Sequence, residues 1–115
     1  MSRVAMKVSL SPKQAADMIV DQLDASLVHQ ESHQVGDQSI TTLVFEKYFM
    51  RVKNRVALII ILEDFKGETG LRVISTGSSE GMFINFDWGA ANSFVGSVER
   101  ILADYIREKT ELADL

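Results

Sequence analysis

The sequence predicts an α+β domain, an antiparallel sheet of five or six strands with two helices packed on one face, in the order β-α-β-β-β-β-(β)-α. Three observations lead there. The run from Val56 to Leu62 has no polar break, is too short to span a membrane and is too β-branched for a helix. As a strand it has apolar side chains on both sides, and both must be covered. Segments of period-two alternation separated by turn residues flank this run. Two stretches with helical apolar spacing, one towards each end, remain to cover the sheet.

At 115 residues the chain reads as one domain over 1–115, large enough to bury roughly two thirds of the surface its unfolded form exposes. The absence of cysteine excludes disulfides, thiolate metal sites and a cysteine nucleophile. A net charge of −4 argues against a general binder of phosphate backbones, whose affinity rests on lysine and arginine displacing counterions. Met1-Ser2-Arg3-Val4-Ala5-Met6-Lys7 meets its second charge too early for the apolar region of a signal peptide, so a cytoplasmic location is expected.

Val4, Met6, Val8 and Leu10 alternate with Arg3, Ala5, Lys7 and Ser9, which predicts a first strand with one wetter face. Ser11-Pro12-Lys13-Gln14 then supplies an N-cap serine, a proline at the first helical position and a glutamine able to close a capping box. In the helix that follows, Ala16, Ile19, Val20, Leu23 and Leu27 share a face, while Asp17, Asp21 and Asp24 form an acidic, solvated stripe. Val28 to Gln38 reads as a short edge strand and a hairpin with turn chemistry at Gly36-Asp37. His29 and His33 would sit roughly 13 Å apart on a strand, too far to chelate one metal, and no third ligand is evident.

Ser39 to Val52 reads as a long strand, with Lys53-Asn54 as a two-residue turn into the central strand. That turn pairs Phe49 with Leu58, Phe45 with Leu62, Tyr48 with Ile59 and Met50 with Ala57. A second hairpin across Lys66-Gly67-Glu68-Thr69 pairs Glu63 with Arg72, Ile61 with Ile74 and Ile59 with Thr76. Leu58, Ile60 and Leu62 are then expected beneath the helices. Met82 to Phe86 alternates briefly, as one more short strand would. Asp87 is placed to cap a final helix in which Phe94, Val95, Val98, Ile101, Leu102, Tyr105 and Ile106 form the apolar face to about Lys109, with a fraying tail from Glu108. Ser93, Gly96 and Ser97 make a small-residue side on that helix.

Five constellations invite chemistry. Gly77, Ser78, Ser79 and Gly81 could aim backbone N–H groups at an anion, but the loop lacks a P-loop's lysine and spacing. Glu46 and Glu63 near Tyr48 suggest an acid/base pair, which a cross-strand Arg72 would convert into a structural ion pair. Ser78 or Ser79 with a histidine has no nucleophile-elbow context. Arg51, Lys53 and Arg55 at a hairpin tip, and Phe83, Phe86 and Trp88 before the last helix, read as a solvated tip and as core packing.

The element order resembles the helix-grip and TATA-binding-protein-like architectures, in which a long C-terminal helix lies across an antiparallel sheet; fold analogy alone assigns no function. Asn54-Arg55-Val56, the stretch Ile74-Ser75-Thr76-Gly77-Ser78-Ser79-Glu80-Gly81-Met82-Phe83 and Trp88-Gly89 resemble a small bacterial family of uncharacterised proteins, domain of unknown function family 6054. The likeness spans most of the chain in layout and implies a bacterial single-domain protein, with no activity, ligand or catalytic residue attached.

The functional expectation is therefore a non-catalytic interaction domain, with no metal, cofactor or nucleic acid, that self-associates as a homodimer or binds a protein partner through its second sheet face. Tyr48, Met50, Ile59, Ile61 and Ile74 are the candidate surface, because no third amphipathic segment is left to cover it. The alternative is a pocket for an apolar small molecule or lipid between the sheet and the C-terminal helix.

Overall fold

The structure, a computed structural model, describes residues 2–50, 53–77 and 84–111, with the side chains of Ser2, Gly77 and 84–92 outside that description. In chain order the elements are β1 (Ser2–Val8), α1 (Pro12–Gln22), β2 (Ser26–Val35), β3 (Gln38–Phe49), β4 (Asn54–Glu63), β5 (Thr69–Gly77), α2 (Ile84–Ile101) and, after a 3-10 turn at Ala103–Tyr105, β6 (Ile106–Glu111). The strands form one antiparallel sheet in the order β2-β3-β4-β5-β1-β6.

The two helices lie on the same face for a topological reason. α1 carries the chain from β1 to β2 and α2 carries it from β5 to β6, and each crossover joins parallel strands within the sheet. The strands of the two crossovers run in opposite directions, and the crossovers travel in opposite directions across the sheet. Two crossovers of one hand, as strand twist demands, are then related by a rotation about the sheet normal and share a face. Ile19 of α1 and Phe94, Val95 and Val98 of α2 accordingly enter one core with Val4, Met6, Leu43, Phe45, Leu58, Ile60, Leu62, Leu71 and Val73. β2 to β5 follow one another by hairpins, so among the described residues no element crosses the other face.

Local chemistry places α1 as expected. The Ser11 hydroxyl accepts from Gln14 N–H at 3.1 Å, Gln14 Oε1 accepts from Ser11 N–H at 3.0 Å, and Pro12 occupies the first turn. The helix stops at Gln22, earlier than its apolar spacing suggests. Leu23 turns to extended backbone while its N–H still reaches Ile19 O at 2.9 Å. Leu27 is therefore on β2, and both it and Val20 are exposed. Of the acidic stripe, Asp17 pairs with Lys13 at 2.8 Å, while Asp24 lies beyond the helix and meets Lys47 at 3.3 Å.

Both hairpin registers differ from expectation by even steps. Phe45 faces Leu58, Val44 faces Ile59 and Tyr48 faces Arg55, because β3 ends at Phe49 and the chain reaches Asn54 through a longer connection, with Lys53 at φ 51°. Across the next hairpin Ile59 faces Ile74, Ile61 faces Arg72 and Glu63 faces Gly70 rather than Arg72. A Cβ on residue 70 would lie 2.8 Å from Glu63 Oε1, so glycine gives this carboxylate its place, and its other oxygen accepts from Phe65 N–H at 3.0 Å. Both shifts preserve side-chain parity, and Leu58, Ile60 and Leu62 do lie under the helices, each fully buried.

The C-terminal third departs further. Residues 84–86 are helical rather than extended, Asp87 lies inside α2 rather than capping it, and residues 82–83 fall outside the described residues. α2 ends at Ile101, and Ile106–Glu111 pairs with β1 as a strand instead of continuing the helix and fraying. The edge of β1 offers unpaired backbone groups, and a strand satisfies them where further helix would not. Gly96 lies beneath the Arg100 side chain, which also donates to Ser97 Oγ at 3.0 Å, so the small-residue side is filled from within α2. Among the described residues no helix is long and apolar enough to cross a membrane.

Candidate functional site

The helix-free face of the sheet is built from the alternate residues of each strand. Pairing sets them in rows: His33, Ile40, Glu63, Gly70 and Lys7; then Glu31, Thr42, Ile61, Arg72 and Ala5; then His29, Val44, Ile59, Ile74 and Arg3. Ile40, Val44, Ala57, Ile59, Ile61 and Ile74 are half-buried. They form a continuous apolar strip across β3, β4 and β5. Around it Arg3, Lys7, Arg55 and Arg72 are matched by Glu31, Glu46, Glu63 and Glu108, so the face favours neither polyanion nor polycation.

Of the candidate surface residues, Ile59, Ile61 and Ile74 are brought together as expected. Tyr48 is displaced by the register to the end of the face beside Arg55 and is 47% exposed, and Met50 leaves the strand for the following turn at 78% exposed. Val44 and Ile40 take the central places instead. Alternation backwards from Tyr48 through Glu46 and Thr42 would have found them, since residues two apart on a strand share a face.

The imagined carboxylate pair does not form. Glu46 and Glu63 face Ala57 and Ile40, whose pairing places them roughly 20 Å apart along the sheet. Glu46 instead accepts from Arg55 Nη1 at 2.8 Å, which also takes one cation from the basic hairpin tip. Of the candidate anion-binding loop, Gly77 closes β5, and Ser78, Ser79 and Gly81 lie outside the described residues, as do Arg51 and Phe83. Phe86 and Trp88 fall within α2, their side chains outside the description.

β2 carries an arrangement that spacing alone did not suggest. His29 and His33 point to the same face on either side of Glu31, their Nε2 atoms 2.9 Å and 2.7 Å from its two carboxylate oxygens. The hydrogen bond from His33, then that from His29, holds the Glu31 carboxyl below the usual glutamate range. The histidines are thus joined through a carboxylate. Among the described residues no group of three or more His, Cys, Asp or Glu is arranged to hold a metal ion.

Among the concavities open to solvent are two that border β1 and β2. One, of about 190 Å³, surrounds Gly70 on the helix-free face and mixes Lys7, Lys66 and Arg72 with Glu63 and Glu108. Lys7 bridges Glu68 at 3.3 Å and Glu108 at 3.5 Å, and the hydrogen bond to Glu68 first of all raises its pKa. The other, of about 510 Å³, is a polar groove between α1 and β2.

The chain belongs to DUF6054, a family of unknown function, whose profile matches residues 1–106. Searches of curated proteins and of solved structures found no match.

Proposed function

We propose that this member of DUF6054 is a non-catalytic interaction domain whose helix-free face takes an apolar protein surface, a second copy of the same chain being the first candidate. The observation that carries the reading is the strip of Ile40, Val44, Ile59, Ile61 and Ile74, continuous across three strands and, among the described residues, without a covering element because both helices lie on the opposite face. Monomers seldom leave an apolar patch larger than a few hundred Å² uncovered. Balanced charges around the strip suit a protein surface with polar rim contacts.

An apolar ligand between sheet and C-terminal helix, as a helix-grip likeness would suggest, has less behind it. Along the described part of that seam Phe94, Val95 and Val98 are buried to 2% exposure or less, against Leu58, Ile60 and Val73 at 0%. Phe94 also stacks edge-on with Phe49 at 5.7 Å. Light scattering at micromolar concentration tests the favoured reading. Ile59→Glu is expected to halve the mass of the particle, whereas an unchanged mass would remove the face as a self-association surface.

A further inference from the structure

The two edges of the sheet are built differently. β6 places Arg107, Glu108, Lys109 and Glu111 within six residues, the charged composition that keeps an edge from templating another strand. β2 is ten residues long, every one exposed, with Glu31 as its only Asp, Glu, Lys or Arg and no proline. The groove between α1 and β2 leaves the helix side of this edge clear as well. Such an edge invites a partner strand.

The direction of its free backbone groups follows from the turn. Val35 and Gln38 flank the two-residue turn Gly36-Asp37, with Gly36 at φ 62°. A two-residue hairpin closes on a hydrogen-bonded pair, and antiparallel pairs alternate, so the N–H and C=O of Gln30, Ser32 and Gln34 face outward.

We propose that β2 pairs antiparallel with β2 of a second copy across a two-fold axis at Ser32, joining two sheets edge to edge. In this register Ser32 exchanges backbone hydrogen bonds with the partner's Ser32, and Gln30 with the partner's Gln34. The intervening close pairs set Glu31 opposite the partner's His33, a carboxylate against an imidazole, and symmetry repeats the contact. Moving the axis to Glu31 would oppose two carboxylates. Moving it to Gln30 would run the ladder into the bulge between Leu27 and His29. The contact uses the backbone edge and is independent of the apolar face.

Light scattering on the wild type, Ser32→Pro, Ile59→Glu and the double variant separates the two surfaces. Proline at position 32 removes an outward N–H and none of the backbone bonds to β3, as edge strands tolerate, while the Ser32 hydroxyl's 2.9 Å hydrogen bond with Thr41 Oγ1 is lost with the side chain. Ser32→Pro is expected to halve the particle mass in both the wild-type and the Ile59→Glu background. An unchanged mass in both, with far-UV circular dichroism retained, overturns the edge pairing whatever Ile59→Glu does. If Ser32→Pro does not fold, wild-type amide exchange decides. Protection at Gln30, Ser32 and Gln34 is expected to rise with protein concentration while Glu31 and His33 stay protected throughout, and fast exchange at those three positions at every concentration overturns the proposal.

Discussion

Leu58 and Ile60 alternate along β4 with Ile59 and Ile61, side chains of nearly the same size and apolarity, yet the first pair is wholly buried and the second only half-buried. The difference lies in the connections. Both crossovers share one face, so the even-numbered residues of β4 share a core with Ile19, Phe94 and Val98, while the odd-numbered ones, among the described residues, have no helix over them. Apolar composition says that a strand can be covered twice; chain connectivity says how often it is covered within one molecule.

The sharpest way to break this comparison is to truncate one residue from each side. Ile60→Ala should cost about 2–5 kcal/mol, since it leaves a cavity that the packed core closes only in part. Ile61→Ala, measured by urea unfolding at a dilution where the chain is monomeric, should cost about 1 kcal/mol or less from its smaller loss of buried area. Equal costs would show that the two faces are covered alike.

The covering side also depends on α1 being held at its start. Ser11→Ala removes the side chain that accepts from Gln14 N–H and breaks the reciprocal cap, with an expected loss of about 1 kcal/mol in the same unfolding experiment. No measurable change would mean that burial of Ile19 and Ala16 alone positions the helix.

The smallest effect belongs to the open side. The Glu31 carboxyl sits below its ordinary value of 4.5, so its contribution is in place above that value and is lost as the pH falls through the lower folded value. Nuclear magnetic resonance titration of the Glu31 side-chain carboxyl should therefore give a midpoint under 4.5, moving back up in a His33→Ala variant. A midpoint unaffected by that substitution would show that the histidine bridge does not persist in solution.

The parts legible in the sequence were those set by close neighbours along the chain. The Ser11 to Gln14 cap spans one helical turn, and Gly36-Asp37 supplies its own backbone bend. The face that Ile59, Ile61 and Ile74 share was legible too, while Tyr48 and Met50 were misplaced with the register and Val44 and Ile40 missed. β6 was hidden for another reason. The apolar spacing of α2 runs on through Tyr105 and Ile106, and only the free edge of β1 makes a strand the better partner there.

The sequence by itself determined which residues of each central strand travel together and where α1 begins. Tertiary structure alone decided the hairpin offsets, the end of α2 and the long exposed edge of β2. A period-two pattern is unchanged by a shift of two or four residues, so alternation specifies the face of a side chain but not its partner. The partner is chosen by loop length and by the packing of Phe45, Leu58 and Phe94 in one core, where residues far apart along the chain must fit together.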